Sequence, residues 1–206
     1  MYICWSVKGG SGTTVVAAAL ALLKSHRHPT LLVDVGGDVP AALGLTEPRS
    51  PGLSDWLAST SADGDALVQL AIEATDSLRV LPLGGPIQPR PDWARLRAAL
   101  PDDAVVDLSG RVPPPEFVAP GDHSILVVRP CYLALRRVIS CGHTPTGIVV
   151  VDEPGRALRA ADVARAVGAP VVAEVPFDPA LSRAVDAGLL ATRLPRTIAH
   201  PLRGAA

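Results

Sequence analysis

The chain has 206 residues, a formal net charge of −1 and 48% apolar residues. This length suits one α/β domain with a full core, and no apolar run approaches the roughly 20 residues that a membrane-spanning helix requires. The near-neutral charge argues against general coating of nucleic acid. No segment with the basic and then apolar pattern of a signal peptide precedes the first apolar run, so we expect a cytosolic protein.

A glycine-rich turn follows this first apolar run. Residues 2–7 are predicted to form a buried strand, and residues 15–23 begin an amphipathic helix rich in alanine and leucine. Backbone N–H groups in such a turn point into a concavity at the helix N-terminus, where phosphate binds. The ordinary phosphate-loop pattern G-x-x-x-x-G-K-[ST] fails, because it would have to begin at Val7 or Lys8.

The second apolar run, at residues 30–35, carries an acid at its end. A carboxylate at the carboxyl end of a buried parallel strand lies at the sheet edge where ligands bind. Asp34 is therefore a candidate for ligand chemistry. The alternative is that Asp34 caps the turn made by the two glycines that follow.

Shorter elements are predicted in the middle of the chain. A helix at 41–45 is closed by Gly44, Ser54 is a plausible N-cap for a further helix, residues 66–74 are predicted to be helical, residues 78–83 form a strand and residues 93–100 a helix.

The next apolar run ends in the pattern D-x-x-G. Residues 104–110 form a buried strand that ends in Asp107, Leu108, Ser109 and Gly110. In phosphate-switch proteins this aspartate holds magnesium through water, and the glycine N–H meets a γ-phosphate. We therefore assign Asp107 to metal binding and Gly110 to nucleotide binding.

The last third of the chain continues the alternation of strands and helices. Strands are predicted at 124–128, 146–151 and 171–175, and helices at 133–139, 160–167 and 180–190. Strands that alternate with helices imply an α/β fold with a mainly parallel sheet covered by helices on both faces. Residues 192–206 contain prolines and arginines and are predicted to be a flexible tail or a segment packed at the edge.

The glycine-rich turn resembles the phosphate loop of the ParA/MinD family, a deviant Walker A sequence of the form K-G-G-x-G-K-[ST]. The matching residues are Lys8, Gly9, Gly10, Ser11, Gly12 and Thr14. Thr13 takes the place of the lysine that reaches the β- and γ-phosphates. The resemblance implies that Lys8 is the signature lysine with a catalytic role, that the whole loop including Thr13 binds nucleotide, and that Thr14 binds magnesium.

Three further positions are similar to family motifs. Asp34 matches the first acid of the family's D-x-D, which positions water and magnesium, whereas Gly36 replaces the second acid. Asp152 stands where the family places an adenine-reading asparagine, and Pro176 belongs to a segment that lines the base pocket. A carboxylate at 152 suits a guanine edge about as well as adenine, so the base stays open.

The resemblance covers nearly the whole chain and implies a three-layer sandwich similar to phosphate-loop NTPases. We expect one domain at 1–191 and a tail at 192–206, with features similar to the shorter CpaE/TadZ-like branch that positions pilus or secretion machinery. Intact relatives close a homodimer around ATP and Mg²⁺, with the signature lysine contacting nucleotide in the other subunit. The missing loop lysine and second acid predict a degenerate member that binds ATP weakly, hydrolyses it little or not at all, and works with a protein partner.

Two alternatives remain open. The chain is a nucleotide-free scaffold that uses the fold for dimerisation and partner docking, which Thr13, Gly36 and Asp152 favour. Or it is an active partition-type ATPase in which Lys8 replaces the missing charge. In that case, basic surface for contact with DNA would come from Arg183, Arg193, Arg196 and Arg203.

Overall fold

The computed structural model describes residues 1–46 and 51–206. Eight strands form one sheet: β1 Tyr2–Trp5, β2 Thr30–Asp34, β3 Ile72–Thr75, β4 Leu78–Leu81, β5 Val105–Leu108, β6 His123–Val128, β7 Gly147–Asp152 and β8 Val171–Pro176. Their order across the sheet is β3-β4-β2-β5-β1-β6-β7-β8. All neighbours pair in parallel except β3 and β4. The carboxyl ends of the parallel strands therefore lie along one edge.

Helices cover both faces of the sheet. They are α1 Thr13–Ser25, α2 Val39–Leu43, α3 Leu53–Ala58, α4 Gly64–Gln69, α5 Trp93–Ala99, α6 Tyr132–Ser140, α7 Ala160–Val167, α8 Pro179–Asp186 and α9 Arg196–Leu202, with a 3-10 turn at Pro115–Phe117. None of these helices is long and apolar enough to cross a membrane. The predicted three-layer α/β sandwich is confirmed.

Two apolar cores lie on opposite sides of the sheet, because successive strand residues point to opposite faces. Ile3 and Trp5 of β1 enter the core under α3, α5, α6 and α7. Cys4, between them, enters the core under α1 and α9. All three side chains are completely buried, as expected for a parallel strand covered on both sides.

The predicted helix at 66–74 is wrong in its second half. Helix α4 ends at Gln69, and β3 then runs antiparallel to β4. The intervening turn is stabilised by Thr75, whose Oγ1 accepts from the N–H of Ser77 at 3.4 Å and of Leu78 at 3.1 Å. A side chain that satisfies the turn backbone favours the hairpin over continuation of the helix.

The predicted N-cap at Ser54 is also wrong. Gly52 is the N-cap of α3, and its N–H donates to the carboxylate of Asp55 at 2.8 Å. A Cβ atom at Gly52 would lie 2.6 Å from the carbonyl oxygen of Pro82, so only glycine fits this close approach. Ser54 lies inside the helix, where its Oγ accepts from the N–H of Gly85 at 2.7 Å.

The segment after residue 191 packs against the domain. Helix α9 follows Pro195 and contacts β8 and α1. Its residues Ile198 and Leu202 belong to the same core as α1. Of the two arrangements open for this segment, the structure has the packed one, and burial of these two side chains is its physical cause.

Candidate functional site

The turn between β1 and α1 has a conformation that requires glycine. Gly10 and Gly12 have φ angles of +74° and +91°, in the left-handed region that side chains disfavour. Two hydroxyl groups, those of Ser6 and Ser11, each donate to the carbonyl of Lys8 at 3.1 Å and so hold the turn closed. The glycines predicted to cradle phosphate therefore serve a definite backbone geometry.

The first turn of α1 is open to an anion. Gly12 is its N-cap and has no side chain that could accept from the first N–H groups of this 13-residue helix, and no side-chain cap bond is formed there among the described residues. The helix dipole adds partial positive charge at the same point. Backbone donors and dipole together make an anion site that does not depend on a lysine.

Thr13 does not replace the missing lysine chemically. Its side chain is only 3% exposed, and its Oγ1 is buried without a hydrogen-bond partner among the described residues. A short neutral hydroxyl cannot bring charge to the β- and γ-phosphates. The loop thus has the backbone of a phosphate cradle without the cation.

Thr14 and Asp107 come together, as predicted. Thr14 Oγ1 donates to Asp107 Oδ2 at 2.8 Å, and the hydroxyl and N–H of Ser109 donate to Asp107 Oδ1 at 2.6 and 3.1 Å. Burial raises the pKa of Asp107 above its usual value, although the bonds from Ser109 and Thr14 act in the opposite direction. Ser109 is a site residue that the sequence reading did not select.

The oxygen atoms of Thr14 and Asp107 fit magnesium. Mg²⁺ binds oxygen ligands and usually takes one or two from the protein, with phosphate and water completing its shell. Within residues 1–46 and 51–206, no group of three His, Cys, Asp or Glu side chains could hold a metal alone. A magnesium ion here would therefore need the phosphates of a bound nucleotide as further ligands.

Asp34 lies next to Asp107 in the sheet but is already engaged with the backbone. The two aspartates pair in register between β2 and β5. Asp34 accepts from the N–H of Gly37 at 2.6 Å and of Val39 at 3.3 Å. These bonds are the turn-capping role left open by the sequence, and burial, the largest cause, raises the pKa of this carboxyl to about 7.

The position of the missing second acid is sterically crowded. A Cβ atom on Gly36 would lie 3.0 Å from Ser109 Cβ and 3.2 Å from Asp107 Oδ2. The φ angle of Gly36 is not positive, so crowding by the β5 loop, and not backbone strain, disfavours a side chain here. An acid at 36 would need this loop to move.

Gly110 lies beside the phosphate loop, with its N–H already paired. Its φ angle is +70°, and its N–H donates to Ser6 Oγ at 3.1 Å. Contact with a γ-phosphate would require this bond to break. In the structure the bond joins the D-x-x-G turn to the phosphate loop.

A mostly apolar cavity of about 190 Å³ opens beside the first turn of α1. The residues that line it include Gly12, Val15, Arg129, Val151, Pro176 and Phe177. Pro176, which the resemblance assigns to a base pocket, lines this cavity. Asp152 is not in the cavity wall, and its carbonyl accepts from the N–H of Phe177 at 2.7 Å.

Two cavity residues, Arg129 and Phe177, were missed in the sequence. The Arg129 guanidinium lies 5.8 Å from the centre of the Phe177 ring, within cation–π range. Their one sequence signal is that each immediately follows the carboxyl end of an apolar strand, the edge where ligands bind. The strand-end rule used for Asp34 selects both as candidates, but it does not say which loop they adjoin, because that depends on the strand order.

Lys8 is partly buried in the loop. The pKa of Glu153, in the turn after β7, is lowered mainly by hydrogen bonds from Arg156, with the charges of Arg129 and Lys8 as smaller causes. Lys8 and Arg129 therefore both contribute positive charge near this turn.

Three of the four arginines considered for DNA contact line one groove. Arg183, Arg193 and Arg196 border a cavity of about 630 Å³ between α8 and α9. The acid in that cavity, Asp178, is bonded to the N–H of Ala180 and to Thr197 Oγ1, each at 2.8 Å. Arg203 lines a second groove together with Arg196.

Among comparisons with known proteins, the one with solved structures identifies a known fold. No protein-family model matches the chain, and no curated protein matches it. Solved structures of ParA and MinD ATPases do match over nearly the whole chain: a ParA family ATPase from Chlorobium tepidum at 19% identity, TM-score 0.75, over 98% of this chain and 95% of that one. The others include MinD in the MinC:MinD cell division complex of Aquifex aeolicus (18%, 0.75, 98% and 92%) and the septum site-determining protein MinD complexed with Mg-ADP from Pyrococcus horikoshii (19%, 0.75, 98% and 93%). At these identities the likeness establishes the three-layer fold of ParA and MinD ATPases.

Proposed function

We propose that the chain is a degenerate ParA/MinD-like protein that binds ATP weakly with Mg²⁺ and acts as a positioning or assembly factor. One observation carries this proposal. The uncapped N-terminus of α1 lies between an apolar cavity on one side and the Thr14–Asp107 pair on the other. Base, phosphate and metal therefore each have a place of suitable chemistry around one loop.

Weak binding follows from the residue types at this site. The backbone donors of the loop are retained, but Thr13 removes one charged hydrogen bond to phosphate, worth about 1.5–3 kcal/mol. Little or no hydrolysis follows from the same absence together with Gly36, because phosphoryl transfer depends mainly on positioning and neutralising charge. The protein is thus a pseudo-ATPase whose binding, rather than turnover, carries its function.

The partner side of the proposal rests on the fold and on Lys8. We infer a cytosolic homodimer in which Lys8 of each subunit reaches the nucleotide of the other, and a protein partner of a positioning system similar to the CpaE/TadZ-like branch. The MinD structure from Aquifex aeolicus, a protein of this fold, is in complex with another protein, MinC. That likeness supports a protein partner as the docking target.

Titration calorimetry with ATP, ADP and adenosine, each with Mg²⁺, tests the proposal. We expect binding of ATP and ADP that is stronger than binding of adenosine, because the loop holds phosphate. A matched control is Asp107→Asn, which removes the carboxylate charge proposed to bind Mg²⁺. This variant should weaken the binding of ATP only when Mg²⁺ is present. Absence of binding to all three ligands would favour the nucleotide-free scaffold instead.

A second candidate, the partition-type protein, is favoured by the groove with Arg183, Arg193 and Arg196. Contacts with phosphates of DNA release counterions, so such binding weakens steeply as salt rises. Fluorescence anisotropy with duplex DNA at two salt concentrations tests it, comparing wild type with Arg193→Ala and with Arg165→Ala as an exposed control outside the groove. Equal binding by both variants would exclude this groove.

A further inference from the structure

Two buried polar atoms in the described part of the chain lack a hydrogen-bond partner, and both lie at the nucleotide site. They are Thr13 Oγ1, at the start of α1, and Arg129 Nε. Buried polar groups are almost always paired, so such an exception calls for an explanation, often a ligand. Arg129 is the more informative of the two: its side chain is only partly buried, but its Nε is enclosed without a partner and belongs to a charged group, for which unpaired burial costs more than for a hydroxyl.

The position of Arg129 follows from the sheet. It comes directly after β6, and β6 pairs in parallel with β1. The carboxyl ends of these two strands therefore lie side by side, and the loop after β1 is the phosphate loop. Arg129 and Gly12 accordingly line the same cavity.

No acid among the described residues forms an ion pair with Arg129. Glu153 is bonded to Arg156 at 2.6 and 2.9 Å, and Asp178 accepts from Ala180 N–H and Thr197 Oγ1. Asp186, which also lines the cavity, forms no ion pair with Arg129 among the described residues. The guanidinium thus has donors available for an anion that enters the cavity.

We propose that Arg129 binds the phosphates of the nucleotide and so supplies, from β6, the positive charge that Thr13 does not bring to the loop. This inference rests on the proposed function, in which loop and cavity hold a nucleotide. Arginine suits the task because its planar guanidinium binds phosphate oxygens through two parallel hydrogen bonds. Its ligand class is a nucleoside di- or triphosphate, and its place on a neighbouring strand compensates for the lost lysine.

Titration with MgADP and with adenosine separates a phosphate contact from a base contact. Arg129→Ala should weaken the binding of ADP by about 10- to 100-fold, which is the effect of losing a charged hydrogen bond. It should leave the affinity for adenosine within about threefold of the wild-type value. Arg129→Lys, which keeps a point charge without the fork, should fall between. The matched control is Arg136→Ala, an exposed arginine on the adjoining α6, which should bind both ligands as wild type does.

Recovery of ADP affinity by a second substitution in the loop is a result that a purely structural role of Arg129 would not produce. Adding Thr13→Lys to Arg129→Ala should restore most of the lost ADP affinity, because both cations neutralise the same phosphates. Thr13→Lys alone should improve wild type by a smaller factor than it improves Arg129→Ala. Additive factors in this double-mutant cycle would show that the two positions act independently and would overturn the proposal.

The other possible outcomes distinguish the phosphate role of Arg129 from its alternatives. If Arg129→Ala loses adenosine and ADP affinity equally, the residue contacts base or ribose and the phosphate role is wrong. Unchanged ADP binding in a folded Arg129→Ala protein overturns the inference and leaves the proposed function standing. Wild type that binds no ADP overturns both. Should Arg129→Ala fail to fold, the Arg129→Lys comparison carries the test, and equal ADP binding by that variant would count against the fork.

Discussion

At the scale of single atoms, Gly36 allows two turns of the site to approach closely. The turn after β2 passes so close to the turn after β5 that a Cβ atom at 36 would lie 3.0 Å from Ser109 Cβ. Ser109 in turn donates twice to Asp107. The absence of the acid and the hydrogen bonding of Asp107 are therefore one structural arrangement.

Gly36→Ala should lower the free energy of unfolding by about 1–3 kcal/mol, the usual cost of overpacking. The matched control is Gly9→Ala, since a Cβ there meets no atom within 4 Å and the φ angle is not positive. Urea denaturation of both variants measures the difference. Equal stability of the two would mean that the β5 loop moves freely and that the acid is not excluded sterically.

Asp34 combines a buried carboxyl with backbone bonds at the centre of the site. Burial raises its pKa to about 7, above the value of about 3.9 of an unfolded chain. Between these values the folded protein keeps a proton that the unfolded chain has lost. Stability from this group is thus present at low pH and decreases as pH rises through that window.

Asp34→Asn should therefore flatten the pH dependence. In EDTA, the free energy of unfolding of wild type should fall between about pH 4 and pH 7, by at most about 4 kcal/mol from this group. The amide still accepts from Gly37 N–H, so the variant should lose stability less steeply; Asp107, whose pKa is raised too, leaves some slope. Exposed Asp76→Asn is the control, and identical slopes in wild type and Asp34→Asn would contradict the assignment.

The residues of the loop could be predicted from the sequence, whereas their neighbours across the sheet could not. Lys8 to Thr14 form a local pattern, and Asp107 was selected because it lies near the end of an apolar strand, whereas its hydrogen bond with Thr14 was not predicted. Arg129 and Ser109 depend on which strands lie next to each other and how closely the turns approach. Asp152 was placed by resemblance, and it is outside the cavity wall.

Among the elements, β3 shows where local pattern is insufficient. A four-residue strand with one exposed and three partly buried residues has no periodicity that distinguishes it from the end of a helix. The hydroxyl of Thr75, bonded to the backbone of the turn, decides the outcome. Longer elements such as α1 and β6 were predicted because their apolar runs are long enough to fix the type.

Helix α9 belongs energetically to the domain. Leu202 is completely buried in the core formed with α1. Leu202→Ala should lower the free energy of unfolding by about 2–5 kcal/mol, because it leaves a cavity. Exposed Arg203→Ala is the control, and thermal unfolding that does not distinguish the two would show that α9 detaches in solution.

At the scale of the whole molecule, alternation of strands and helices predicted the layers but not the strand order. The order puts β1 between β5 and β6. The metal-side aspartate therefore lies on one side of the phosphate loop, and Arg129 and the cavity lie on the other. In the proposed function, this arrangement lets one loop serve base, phosphate and magnesium together.

Lys8 is partly buried in this loop, and its proposed contact with the nucleotide of a second subunit makes a prediction about the whole molecule. We predict a homodimer that forms or tightens with ATP and Mg²⁺, and Lys8→Ala should shift the equilibrium toward monomer. Sedimentation of wild type, Lys8→Ala and the exposed control Arg165→Ala measures this. A monomer under every condition, unaffected by the substitution, would contradict a cross-subunit role.

Restoring the loop lysine tests the central claim, a phosphate cradle without its cation. Thr13→Lys should strengthen binding of ATP by up to about 1.5–3 kcal/mol, and by less than this if Arg129 already neutralises the phosphates, and that of AMP by much less, because lysine reaches the β- and γ-phosphates. The gain should shrink with salt, since the Debye length is about 8 Å at physiological ionic strength. Thr13→Met controls for side-chain length. Titration calorimetry should give this order; a folded Thr13→Lys protein that binds ATP no better than wild type would show that the loop does not cradle phosphate.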